Sequence, residues 1–252
     1  MFVRNRRAGP SQRGTRRAPL SSAPFALMIA GPNGSGKSTL TNQLIQDGIE
    51  LGEYINPDEI AATLTGDWAT RSAAAQRVAD ERRNDCIANM RSFSFETVMS
   101  HPSKIELMMR AKEAGFTTLL YFVGLDDPAL NVARVVQRVA LGGHPVPAER
   151  ILARYRRTMA LLPAAIRACD RAIIFDNSRP HRDGGAMFAP ILELSVNHQD
   201  GKIRDNTQLY QRRSSIPGWL RPALDESNPS GRNPRKRSGR IHHPLWRGTD
   251  EG

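Results

Sequence analysis

Short apolar runs alternate along the chain with longer segments whose apolar residues recur every three or four positions. Phe25 to Ala30 is unbroken apolar sequence, the pattern of a short strand buried on both faces of a parallel sheet. An amphipathic helix is predicted from Lys37 to about Asp47. Glu53-Tyr54-Ile55-Asn56 predicts a second strand, ending at Pro57-Asp58, where a helix opens. An Ala- and Arg-rich helical stretch spans about Thr70 to Met90, followed by a third strand at Phe93–Thr97. Ser103 to Ala114 predicts a helix closed by Gly115, and Thr117 to Val123 a strongly apolar fourth strand. That strand leads into Asp126-Asp127-Pro128, a cap and first turn for a helix over 129–140. A helix from about Ala148 to Ala165, a fifth strand at Ala172–Asp176 and a closing hairpin of Ile191–Val196 with Gly201–Arg204 complete the pattern. Strands and helices alternate through residue 176. The expectation is an α/β fold: a mostly parallel five-stranded sheet flanked by helices, with a C-terminal hairpin and no internal repeat.

The chemistry begins where the first strand ends. Gly31-Pro32-Asn33-Gly34-Ser35-Gly36-Lys37-Ser38 fits G-x-x-x-x-G-K-[ST], with a strand before it and a helix after it, as a P-loop requires. Its glycines let consecutive N–H groups and a helix N-terminus converge on a polyphosphate. Gly31 to Thr39 is therefore the expected ATP or GTP site of a P-loop NTPase fold. Lys37 would reach the β- and γ-phosphates, and the Ser38 hydroxyl would bind Mg²⁺.

In an open parallel sheet, function gathers at the carboxyl ends of the strands. Asp58, Glu96, Thr97 and Asp126 fall there. Asp58 could accept the proton of an attacking hydroxyl, or it could do no more than cap the following helix. Glu96 could hold a substrate hydroxyl or the water shell of Mg²⁺. Asp126 and Asp127 read chiefly as caps. Arg150, Arg154 and Arg157 recur at spacings of four and three, one face of a helix that would act as a mobile lid clamping the transferring phosphoryl. Arg157 and Arg154 are the stronger candidates, and Arg138 a weaker one.

Charge changes the picture only at the ends. The net charge is +11, but residues 1–24 hold six arginines and no acid, and residues 221–252 hold seven Lys/Arg against four Asp/Glu. The middle is near neutral. The expected organisation is a disordered basic tail (1–24), a P-loop domain (25–204) and a largely disordered basic extension (205–252). The N-terminal composition also matches a transit peptide but lacks a clear amphipathic period. Cys86 and Cys169 have neither metal spacing nor disulfide density and are expected to pack as small apolar residues in a reducing, cytoplasmic setting. No run approaches the length of a membrane span.

Together the motifs resemble the zeta-toxin family of P-loop phosphotransferases. The resemblance lies in Gly-Pro-Asn-Gly-Ser-Gly-Lys-Ser-Thr (31–39), Asn-Pro-Asp-Glu-Ile-Ala (56–61) and Phe-Glu-Thr (95–97). It continues in Gly-Gly-His-Pro-Val-Pro (142–147) with its arginine helix and in Phe-Asp-Asn-Ser (175–178), covering roughly Phe25 to Arg204. It implies ATP- or GTP-dependent phosphorylation of a hydroxyl on a UDP-amino sugar, chiefly UDP-N-acetylglucosamine, and a small helical antitoxin as partner. It implies Asp58 as the base, Glu96 and Thr97 facing the sugar nucleotide, and Arg157 with a second lid group on the phosphates. The lid departs from the toxin type, with His144 where an arginine is expected, as in a housekeeping-like branch. Two other functions use the same residues: a polynucleotide kinase gripping nucleic acid through the basic tails, and a non-catalytic NTP-binding switch.

Overall fold

The alternation of side chains along β1 (Phe25–Ala30) decides the layering of the molecule. Ala26, Met28 and Ala30 enter the core on one face of the sheet, and Leu27 and Ile29 enter the core on the other, all fully buried. A strand apolar on both faces must be covered on both. The structure, a computed structural model, describes residues 23–143, 145–178, 188, 190–197, 202–205 and 216–227.

The described strands form one seven-stranded sheet in the order β2-β3-β1-β4-β5-β6-β7. β1 lies between β3 (Phe93–Thr97) and β4 (Thr117–Gly124), parallel to both. β2 (Glu53–Ile55) and β5 (Arg171–Asp176) extend the parallel block on either side. α1 (Lys37–Gln46) covers one face through Leu40. The other face is covered by α3 (Trp68–Ala88), α4 (Ser103–Glu113) and α6 (Ala148–Ala168), with α2 (Pro57–Thr63) packed against α3. α5 (Pro128–Ala140) follows β4 and leads towards α6. Both cysteines are buried, Cys86 on the inner face of α3 and Cys169 at the end of α6, packed as small apolar residues. No helix among the described residues is long and apolar enough to cross a membrane.

Two differences from the sequence expectation concern the C-terminal part. The hairpin of β6 (Pro190–Asn197) and β7 (Lys202–Asp205) joins the main sheet, because β6 pairs antiparallel with β5. Buried Glu193 on β6 pairs with Arg171 on β5, which satisfies a charge that the interior would otherwise exclude. Residues 216–227 lie beyond the expected boundary at 204 and within the extension read as largely disordered, yet they complete the core. Leu220 is fully buried and Ala223 nearly so, on α7 (Arg221–Ser227) and the turn before it. Trp219 stacks obliquely on Phe122 of β4 at 6.0 Å, and Gly124 is where the indole crosses the strand. The Arg, Pro and Ser content of the whole tail conceals this single apolar cluster.

Leu220→Ala should destabilise the chain by about 3 kcal/mol through a cavity under α7. Urea unfolding measures this, and an unchanged midpoint would make α7 a dispensable appendage.

Candidate active site

The chain leaves β1 at Gly31 in a backbone conformation, φ +150°, that side chains rarely adopt. A Cβ there would lie 2.2 Å from the Val123 carbonyl oxygen of β4. Gly36, also at positive φ, starts α1 with no side-chain cap and no acid in the first turn. The N–H groups of that turn and the positive end of the helix are thus left for an anion. Lys37 folds back, its Nζ donating to the carbonyls of Gly31 and Pro32 at 3.0 Å each. Burial pushes its pKa down to about 8; Arg138 adds to that shift, while Glu96 and Asp58 oppose it. These four charged groups therefore share one electrostatic neighbourhood. The buried Ser35 hydroxyl has no partner among the described residues and adds a donor to the loop.

Glu96 is the hub of the β3 side. The register sets it beside Ile29 of β1. Its Oε2 accepts from Ser38 at 2.8 Å, and its Oε1 accepts from Thr41 at 2.7 Å and from Tyr54 at 2.8 Å. Burial first and then Glu96 push the Tyr54 phenol well above its ordinary pKa, so it remains a donor. Asn56 extends the chain by donating to the Tyr54 hydroxyl at 3.1 Å. Its Oδ1 accepts the Asp58 N–H at 3.0 Å, so Asn56 caps α2, with Pro57 in the first turn. The capping alternative for Asp58 is thereby corrected: its carboxylate is exposed in the first turn and does not cap. Thr97 turns inward locally, its Oγ1 accepting the N–H of Met99, a residue held at φ +56°.

α6 crosses the strand ends. The Tyr155 hydroxyl donates to the Leu125 carbonyl at 2.9 Å, beyond β4, and Thr158 donates to the Val98 carbonyl at 2.7 Å, beyond β3. Arg150, Arg154 and Arg157 lie on the same helix. Burial, then the charges of Arg150 and Arg157, push the Arg154 pKa down, so the three guanidinium groups form one positive cluster. Among the described contacts none of the three is bonded to the P-loop; Arg138 on α5 is the arginine whose charge reaches Lys37. His144 lies outside the described residues. Asp127 caps α5 by accepting the Ala129 N–H at 2.8 Å, whereas Asp126 contributes its backbone N–H to Ser178. No cluster of three His, Cys, Asp or Glu residues that could hold a metal occurs among the described residues. Ser38 and Glu96 nonetheless supply the hard oxygen donors that suit Mg²⁺ alongside phosphates.

Sequence reasoning assigned no role to Thr41, Tyr54 or Asn131, and none to Asn177 beyond its place in a motif. Asn131 left a signal, a polar residue on the inward stripe of an amphipathic helix, where it is fully buried.

The family model for zeta toxin matches residues 11–188. The chain belongs to the zeta toxin family. It is a P-loop kinase by family. A Haemophilus influenzae protein described as uncharacterised is 33% identical over 131 residues, 52% of this chain and 91% of that protein. The AvrRxo1-ORF1:AvrRxo1-ORF2 complex with sulphate ions matches with a TM-score of 0.55 at 15% identity, over 78% of this chain and 67% of that one. The same pair solved with ATP matches with a TM-score of 0.54 at 16% identity, over the same shares. These two likenesses are of fold.

The lowered Lys37 pKa has a pH signature. Between about pH 8 and its ordinary value of 10.5 the amine is neutral in the folded chain and charged in the unfolded one. Unfolding takes up a proton there, so stability rises with pH across that window. Lys37→Met should flatten that rise in urea midpoints measured from pH 7 to 10; equal slopes would contradict the burial of this amine.

Proposed function

We propose that this zeta toxin family kinase transfers the γ-phosphoryl of ATP or GTP to a hydroxyl of a UDP-amino sugar, UDP-N-acetylglucosamine foremost. The observation that carries the reading is the grouping of Asp58, Lys37 and Glu96, with Asp58 released from capping by Asn56. Asp58 accepts the proton of the substrate hydroxyl as its oxygen attacks the γ-phosphorus, and the bond to the β–γ bridging oxygen breaks. Lys37, Arg154 and Arg157 neutralise charge on the transferring group. Ser38 and Glu96 would hold Mg²⁺, which would supply neutralisation of phosphate charge. Glu96, whose two oxygens already serve Ser38, Thr41 and Tyr54, belongs to that metal side more than to the sugar. Thr97 and His144 are left as the candidate contacts to the acceptor.

ATP as donor is supported by the AvrRxo1-ORF1 complex solved with ATP. A protein antitoxin as partner is supported by family membership and by the two-protein AvrRxo1 assembly. The unpaired, buried cysteines fit a cytoplasmic setting.

Incubation with γ-labelled ATP, Mg²⁺, a panel of UDP-sugars and short oligonucleotides tests the reading. Label is expected on UDP-N-acetylglucosamine, and Asp58→Ala should lower that transfer by about 10²- to 10⁴-fold with ATP binding nearly unchanged. Loss of ATP binding in the variant would make Asp58 structural. Label on oligonucleotides alone would move the assignment to a polynucleotide kinase.

A further inference from the structure

Two asparagines from different elements each donate to a carbonyl of the P-loop. Asn131 Nδ2, on α5, donates to the Asn33 carbonyl at 2.6 Å. Asn177 Nδ2, just beyond β5, donates to the Ser35 carbonyl at 2.8 Å. Each asparagine is anchored, Asn131 by burial and Asn177 through its backbone. Asn131 is fully buried. The backbone N–H of Asn177 donates to the Gly124 carbonyl at 2.9 Å, and its carbonyl accepts from Arg134, one turn after Asn131, at 2.9 Å. The loop's glycines admit this approach. A Cβ on Gly34 would lie 2.6 Å from the Asn131 carbonyl oxygen, and one on Gly36 would lie 2.6 Å from Asn177 Nδ2.

In a trans peptide the C=O and the following N–H point in opposite directions. Fixing the Asn33 carbonyl towards α5 therefore aims the Gly34 N–H away from α5, and fixing the Ser35 carbonyl towards Asn177 does the same for the Gly36 N–H. Neither N–H enters a turn or cap bond among the described residues. We propose that Asn131 and Asn177 are positioning residues that hold these two carbonyls off the phosphate position and present the loop's N–H groups to a polyphosphate before it arrives. Preorganised donors avoid the reorganisation that a free loop would undergo on binding an anion. The inference rests on the nucleotide-binding part of the proposed function and needs no acceptor.

Displacement of a fluorescent adenine nucleotide from the full chain reads ATP and adenosine affinities for wild type, Asn177→Ala, Asn131→Ala and the isosteric Asn131→Asp. Each variant should lower the ratio of ATP to adenosine affinity about tenfold, the worth of one such bond. Asn131→Asp should be at least as damaging as Asn131→Ala, because it keeps the shape and removes the donor. Asn177, only partly buried, provides the test should either Asn131 variant fail to fold. An unchanged ratio, including an equal loss for ATP and adenosine, would overturn the inference while leaving the kinase reading intact. A wild-type chain that binds no ATP would overturn both.

Discussion

At Gly31 the backbone passes so close to β4 that a Cβ would lie 2.2 Å from the Val123 carbonyl oxygen, while its N–H reaches the Thr97 carbonyl of β3 at 3.3 Å. The chain is threaded between the ends of two neighbouring strands at the moment it turns. That threading is possible because β1 lies inside the sheet, parallel to both neighbours, so three carboxyl ends open at one edge. The uncapped start of α1, the return of Lys37 to the Gly31 and Pro32 carbonyls and the meeting of Ser38 with Glu96 all follow from it. A side chain at position 31 would push the loop off β4 and dissolve each of them.

The site is a balance of charges held partly out of water. Lys37 alone would be costly there, and burial lowers its pKa; Glu96 and Asp58 offset the cost, and Arg138 adds to it. Glu96 in turn is committed to three hydroxyl donors, and hydrogen bonds to an ionised group are roughly twice as strong as neutral ones. The carboxylate is thus a rigid part of the site. Asp58 differs: Asn56 makes the capping bond, and the acid remains exposed in the first turn of α2. Two acids at the carboxyl ends of neighbouring strands thus sit in different surroundings, one bonded to three hydroxyls and one exposed.

Much of this was legible in the residues. The unbroken apolar run before Gly31 and the motif after it identified β1, the loop and α1 because both signals are local: strand burial and the steric demands of a tight phosphate loop are properties of a few consecutive residues. Asp127-Pro128 likewise marked the start of α5. Less legible was whatever depends on a neighbour remote in sequence. Nor was it legible that Asn56, and not Asp58, caps α2. Trp219 and Leu220 sit amid tail-like composition and reveal themselves only by packing on β4 and α6.

The sequence by itself determined the α/β alternation, the phosphate loop and the family, because periodicity and motif spacing are written within single segments. Tertiary structure alone decided the strand order, which put β3 and not β2 beside β1 and so set Glu96 against Ser38. It also decided that Asn131 and Asn177, 98 and 142 residues from their partners, would close on the loop. Pairings at such separations are selected by the burial of whole faces of the sheet, and no local pattern of residues encodes which polar atoms that burial will bring together.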